Sequence, residues 1–419
     1  MSRARSDRTE GFSGPHGAAF WVCIALAFGL CSCRFFAGQQ TVQSSAKSQS
    51  GDSPQNESAI AHSPRLLIHQ KRITSNARAI LAQAKEQGVH LAAVVKGASA
   101  HPAAVHALME AGIDMLADSR LINIQRIRNA GFKGDVLLMR PASLTDSPQV
   151  VLNANFSLVS NLRTAQSLSE AAANARLTHN IIVMVEAGDL REGIYPPEDV
   201  LTLARQINDL PNLRLAGLGA NFACNAGVLP DTKNTASLVD LSQSIEKALK
   251  IRLAYVSTGN SSGLPLLRSC ALPKGVNHYR VGESILLGSN AVDGTPWPGT
   301  RQDAFIFVAE VIEAYKKPSL PWGETAGNAF GERTEYSDRG PRTRAIVNAG
   351  RQDIDHTSLT PENPCMQIIN SSSDHMILDV EDCAAKPKVG DEISFRLGYP
   401  ALLRATTSEY VAKKVIFDD

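Results

Sequence analysis

The chain has 419 residues, 43% hydrophobic and 20% charged, with 42 Lys and Arg against 41 Asp and Glu for a formal net charge of +1. That is an ordinary globular composition, long enough for two or three domains. It lacks the basic field that nucleic acid or an anionic membrane surface would require, so small-molecule chemistry becomes the default.

In chain order, Arg3, Arg5 and Arg8 precede an apolar run from Ala18 to Leu30. Its length suits a signal h-region and is short for a spanning helix. The run ends in Leu30-Cys31-Ser32-Cys33, which resembles a bacterial lipobox and makes Cys33 the expected lipidation site. Residues 1–33 are read as a signal peptide. Residues 34–63, rich in Ser, Gln, Ala and Asn, bury too little apolar surface to offset ordering and read as a flexible tether. The expected location is outside the cytoplasm, periplasmic or held at a membrane as a lipoprotein. Beyond this segment Cys224, Cys270, Cys365 and Cys383 show neither metal spacing nor a dense disulfide framework, and leave room for one disulfide.

From residue 64 to 300 short apolar runs alternate with amphipathic stretches, the pattern of repeated βα units. The expected strands are Leu91–Val95, Ile113–Ala117, Val136–Met139, Ser157–Val159, Ile181–Val185, Leu213–Leu218, Leu253–Val256 and Asn277–Val281. Helical patterns between them include Ala103–Ala111, Ser119–Ala130, Leu162–Ala175, Pro197–Asn208 and Thr235–Leu249. Eight such units close into a (β/α)8 barrel whose site collects at the strand C-termini. There the sequence offers Lys96, Asp118-Ser119-Arg120, Arg140, Glu186, Asn221, Asn260-Ser261 and Arg280. From 301 to 419 strand-like runs separated by Pro, Gly and Asp clusters, with little helix, predict a smaller, mainly β domain.

Lys96 ends an apolar run and is followed by small residues. A lysine that ends a buried strand can lose hydration, which lowers a lysine's pKa and frees its amine for a Schiff base. Gly259-Asn260-Ser261-Ser262-Gly263 follows the seventh strand, and its N–H groups, hydroxyls and glycines suit a phosphate dianion. Arg280 follows on the eighth. If the phosphate belongs to pyridoxal phosphate, an arginine at the ring nitrogen cannot readily release its proton, which leaves a modest electron sink suited to proton removal and return at Cα.

With these residues in place, the chain resembles the fold-type III pyridoxal-phosphate enzymes, and among them the alanine/ornithine racemase-like family. The resemblance is carried by Gly112-Ile113-Asp114-Met115-Leu116-Ala117-Asp118-Ser119-Arg120, Gly188-Asp189-Leu190-Arg191-Glu192-Gly193-Ile194 and Gly217-Leu218-Gly219-Ala220-Asn221-Phe222-Ala223-Cys224. It continues through Asn260-Ser261-Ser262, Arg280-Val281-Gly282-Glu283, Ser371-Ser372-Ser373-Asp374-His375 and Thr407-Ser408-Glu409-Tyr410-Val411. It implies a pyridoxal 5'-phosphate-dependent racemase inverting Cα of a free amino acid, of basic (ornithine- or lysine-like) or broad specificity, by a two-base mechanism.

Within it Lys96 would hold the cofactor and serve one face of Cα. Ser261 and Ser262 would hold the phosphate and Arg280 the ring nitrogen, with Asn221, Asn260 and Gly282 completing the cofactor-binding set. Arg191 would take the substrate carboxylate. A homodimer is implied, each β domain completing its neighbour's site, and no metal site is expected. Two departures stand out. Trp322 occupies the position of the tyrosine that serves as second base in alanine racemases, and Ala100 or His101 falls where they carry a phosphate-binding tyrosine. Asp374 and His375 are the expected replacements for the second base, since imidazole titrates near neutrality. Asp353, Asp355 and His356 come next, or their carboxylates meet a distal ammonium. Cys224 is expected to be a small buried residue. The alternative activities are a lyase resembling D-threonine aldolase and a protein that binds pyridoxal phosphate without catalysis.

Overall fold

The computed structural model describes residues 64–417; the signal and tether segments, with Cys33, lie outside the described residues. The described chain opens with β1 (Arg65–His69) and α1 (Gln70–Glu86). Eight parallel strands then close into a barrel. They are β2 (His90–Val94), β3 (Met115–Asp118), β4 (Asp135–Leu138), β5 (Phe156–Val159), β6 (His179–Val185), β7 (Leu213–Ala220), β8 (Tyr255–Gly259) and β9 (His278–Val281). The ring is closed by β2 against β9, with Leu91 opposite Tyr279.

Both faces of this sheet are covered, which is why its strands are apolar throughout rather than alternating. Ala92, Val94, Met115, Ala117, Leu137, Leu158, Ile182 and Met184 fill the interior. Their alternates, among them Leu91, Ala93, Leu116, Val136 and Val183, pack in the larger core beneath the outer helices. Those helices are α2 (Pro102–Glu110), α3 (Leu121–Asn129), α4 (Ser147–Asn153), α5 (Leu162–Ala175), α6 (Glu198–Asn208), α7 (Thr232–Leu249), α8 (Leu264–Arg268) and α9 (Glu283–Leu287). In α7 the buried Thr235, Leu238, Val239, Ser242 and Ile245 recur at helical spacing. A reciprocal Asp231–Asn234 capping box starts it, and Lys250 in the left-handed region ends it.

The second sheet has β10 (Phe305–Pro318), β11 (Pro341–Val347), β12 (Leu359–Pro361), β13 (Gln367–Ser371), β14 (Met376–Asp379), β15 (Glu392–Leu397) and β16 (Ala412–Ile416), and takes in β1. β1 lies ahead of the barrel in sequence yet pairs antiparallel with β10 and parallel with β16. Chain order hides this, because the partners are more than 200 residues away and nothing local marks the pairing. β10 serves both halves of the sheet, pairing with β15 through its first residues and with β11 from Val311 onward, across a bulge between Val311 and Glu313. A Cys365–Cys383 disulfide ties the segment before β13 to the turn after β14. One helix, α10 (Tyr399–Thr407), interrupts the strands. Its buried Ala401, Leu402 and Ala405 follow helical spacing.

Candidate active site

The strand C-termini open into a cavity of about 780 Å³. Lys96, Arg191, Asn221, Asn260, Ser261, Ser262, Arg280 and Gly282 all line it, as do Ser119 and Arg140. Glu192, Cys224, Glu283 and Tyr399 join them.

The floor is built around Arg280, 5% exposed. Its Nη1 donates to the Ser257 carbonyl at 3.2 Å and also to the Ser257 hydroxyl, and its Nη2 donates to the Ala220 carbonyl at 2.7 Å and to Asn221 Oδ1 at 3.2 Å. Backbone and side chains of β7 and β8 therefore fix a cation that β9 delivers. Burial pushes this guanidinium down to about 10, and the charges of Cys224 and Glu192 act in the opposite sense. Ser257 also bonds His278 Nδ1 at 2.7 Å, and His278, fully buried beside Arg280, is held well below the usual imidazole range by desolvation first and that neighbouring charge second. The floor thus carries one fixed positive charge above a neutral imidazole.

Beside the floor lies a hydroxyl cradle. Ser261 Oγ accepts the Gly282 and Ser284 N–H groups, each at 3.3 Å. Asn260 Oδ1 accepts the Ser262 N–H at 2.8 Å, while its Nδ2 donates to the Phe222 carbonyl at 2.6 Å. Gly282 is required by close approach: a Cβ there would lie 2.9 Å from Val94 Cβ and 3.0 Å from the Val94 carbonyl. Asn221 Nδ2 and Ser284 Oγ are buried with no hydrogen-bond partner among the described residues. Buried polar atoms are seldom left so, and such orphans beside a serine cradle and a fixed cation fit a polar, anionic cofactor.

On the neighbouring strand of the ring, β2, Lys96 begins a single 3-10 turn, Lys96–Ala98, just past the strand's end. The next two residues, Ser99 and Ala100, both take positive φ of 48° and 49°, costly for residues with a Cβ. The turn is held from two sides. Arg126 Nη1 donates to the Ser99 carbonyl at 3.1 Å and to Asn123 Oδ1 at 3.0 Å, and Asn123 Nδ2 donates to both oxygens of buried Asp118 at 3.2 Å. From α10, Thr406 Oγ1 donates to the Gly97 carbonyl at 3.0 Å and accepts Ser99 Oγ–H at 3.1 Å. Tyr399, at the start of α10, sets its ring 5.8 Å from Lys96 Nζ. Burial raises its phenol above the usual range, with nearby Glu283 adding to the effect. Tyr399, which lines the cavity, and Thr406, which holds the lysine turn, are not among the residues expected from the sequence; their one local signal is a helical spacing of small apolar residues after Pro400.

The β6 and β7 loops complete the mouth. Glu186, one of the expected strand-end groups, accepts the N–H groups of Gly188, Leu190 and Arg191 at 2.6, 3.0 and 3.2 Å and does not line the cavity. Arg191 Nε and Nη2 donate to Glu192, the second at 2.8 Å, leaving Nη1 unengaged by that carboxylate. Asp189, 1% exposed, accepts the N–H groups of Cys224, Asn225 and Ala226 at 3.0, 3.1 and 3.1 Å. It joins the two loops. Cys224, expected to be buried, is exposed at the mouth: Phe222 is buried, Ala223 is half-buried, and the Asp189 bonds fix the chain as it turns outward.

The expected second-base groups lie elsewhere in this chain. Asp374 and His375, bonded to each other at 2.8 Å, are exposed between β13 and β14. Backbone bonds from Arg351 and Gln352 to Ser372 and Ser373, each 2.9 Å, bring Asp353 close by. Asp355 caps the short turn His356–Ser358. None of these five lines the cavity, and Trp322, 82% exposed, does not reach it. Among the described residues no three His, Cys, Asp or Glu side chains form a metal-binding group.

A closed β/α barrel with a lysine at the end of its first strand, a serine cradle after the seventh and a buried arginine on the eighth defines a class of enzymes that hold a phosphorylated aldehyde cofactor at the barrel mouth. A sequence profile of the alanine racemase N-terminal domain matches residues 68–290. Ornithine racemase from Acetoanaerobium sticklandii is 37% identical over 353 residues, covering 84% of this chain and 99% of its own. Lysine racemase from Thermotoga maritima is 35% identical over 350 residues, covering 84% and 98%. The chain belongs to the alanine racemase family of pyridoxal 5'-phosphate enzymes. Alanine racemase from Streptomyces lavendulae, a D-cycloserine producer, shares the fold at a TM-score of 0.65 and 18% identity, over 86% of this chain and 98% of its own. D-threonine aldolase from Filomicrobium marinum shares it at 0.64 and 18%, over 83% and 90%.

Proposed function

We propose that this protein is a racemase that inverts Cα of a free basic amino acid, ornithine or lysine in kind, as an exported homodimer. The observation that carries the reading is the gathering of Lys96, Ser261, Ser262 and Arg280 in one cavity. Full-length similarity to an ornithine and a lysine racemase supports the substrate class.

When bound, pyridoxal 5'-phosphate supplies the sink for the electron pair left on Cα. Lys96 would hold it, with Ser261, Ser262 and the N–H groups near Gly282 around the phosphate, Asn221 and Asn260 beside it, and Arg280 at the ring nitrogen. Arg191, oriented by Glu192, offers Nη1 to the substrate carboxylate. Lys96 moves a proton on one face of Cα. In a homodimer the partner's C-terminal sheet would present its acidic cluster, and a carboxylate there is the complement a distal ammonium requires. Export is supported by the Cys365–Cys383 disulfide, which persists in oxidising compartments, with Cys33 the expected lipid anchor.

The test is incubation with L-ornithine, L-lysine, L-arginine and L-alanine in deuterated water, following both enantiomers and the Cα label. Ornithine or lysine should invert with one deuterium retained at Cα. Inversion of alanine alone would contradict the basic substrate, and cleavage to an aldehyde would contradict racemisation.

A further inference from the structure

Inversion requires a proton carrier on each side of Cα, and Lys96 provides one. Most other groups at the mouth are unsuited to be the second. Arg140, Arg191 and Arg280 do not readily give up protons. Glu192 is bound by Arg191. Tyr399 lies against Lys96 and Glu283 beside Tyr399, so both belong to the lysine rim.

We propose that Cys224, acting from the β7 loop, is the second proton carrier; this rests on the racemase reading above. From β7 the ring runs through β8 and β9 to β2, and those two intervening strands carry the cradle and Arg280. Cys224 and Lys96 therefore flank the cofactor-holding residues. The thiol is exposed to the cavity on a loop fixed by Asp189, and Ala223 before it takes a φ of 49° that only a constrained loop sustains. Asn260 Nδ2 lies 3.5 Å from Sγ as a donor, so the sulfur already serves as an acceptor. Cysteine is among the side chains that work as general acid and base. In one direction the Cα–H bond breaks, its proton passes to the Cys224 thiolate, the electron pair remains on Cα, and the Lys96 ammonium returns a proton to the other face. The reverse direction exchanges the two roles.

The test compares wild-type and Cys224→Ser holoenzyme with L- and D-ornithine in deuterated water. The variant should exchange Cα label from one enantiomer within a few-fold of the wild-type rate while inversion falls on the order of 100-fold or more. Alkylation by iodoacetamide, read peptide by peptide, provides a second measure independent of folding in the variant. L-Ornithine should protect Cys224 several-fold in wild-type holoenzyme and leave exposed Cys270 unchanged. Inversion at the wild-type rate in Cys224→Ser, its loss in His375→Ala instead, or alkylation of Cys224 indifferent to ornithine would each overturn the assignment. Wild-type protein that exchanges no label with ornithine or lysine overturns the racemase reading itself, and so separates the two failures.

Discussion

The two rims of the mouth are built differently. On the Arg280 rim the charge is fixed by neighbouring barrel strands, through carbonyls and hydroxyls of β7 and β8, and the loop beyond is fastened by Asp189. On the Lys96 rim a strained turn is held by side chains from α3 and from α10, which is some 300 residues away in sequence: Ser99 and Thr406 are separated by 307. The Arg280 side of the mouth is therefore organised within the barrel, whereas the Lys96 turn draws on the C-terminal domain as well as on α3.

The largest expected effect falls on the barrel rim. Asp189→Ala leaves the Cys224 and Asn225 N–H groups without their acceptor, and that of Ala226 with only the Asp189 carbonyl at 3.3 Å, and should destabilise the protein by about 3 kcal/mol, with the 222–228 loop losing protection from hydrogen exchange. Protection that stays unchanged would break the claim that this rim is fastened from within. Next comes Asp118, on the lysine rim, whose carboxyl is raised from 3.8 to about 6 by burial, against the hydrogen bonds of Arg120 and Asn123 and the charge of Lys96. A carboxyl with a raised folded pKa contributes stability that is complete below the unfolded value and lost as pH rises through the folded one. Across pH 3.8 to 6 wild type should therefore lose about 2 to 3 kcal/mol relative to Asp118→Asn, read as a changing difference in Tm. A constant difference would show that Asp118 does not titrate there. Smallest, Thr406→Val removes the α10 hydroxyl and should cost about 1 kcal/mol, weakening cofactor affinity about five-fold without unfolding the sheet. Loss of stability with cofactor affinity unchanged would sever α10 from the lysine turn.

How much of this was legible follows the same division. The eight barrel strands announce themselves as short apolar runs because both faces are buried, and Lys96, Ser261 and Arg280 are readable because barrel chemistry sits where such runs stop. Contacts with no local trace were not. β1 carries nothing that tells its pairing with β16, and Thr406 and Tyr399 sit in a segment whose turns and strand patterns mask one helix. Glu186 reads as mouth chemistry, yet its oxygens, like those of Asp189, accept, and so cap, loop N–H groups, a role set by backbone directions that composition does not encode. The exposure of Cys224 depends on that cap, and so was hidden with it.

The most direct measurement is to reduce the cofactor-loaded enzyme with borohydride and map the modified lysine by peptide mass spectrometry. The structure predicts the label on Lys96 alone, with Lys96→Ala protein unlabelled and lacking the cofactor's visible absorbance. Label on any other lysine, or absorbance that survives Lys96→Ala, would contradict the site described here.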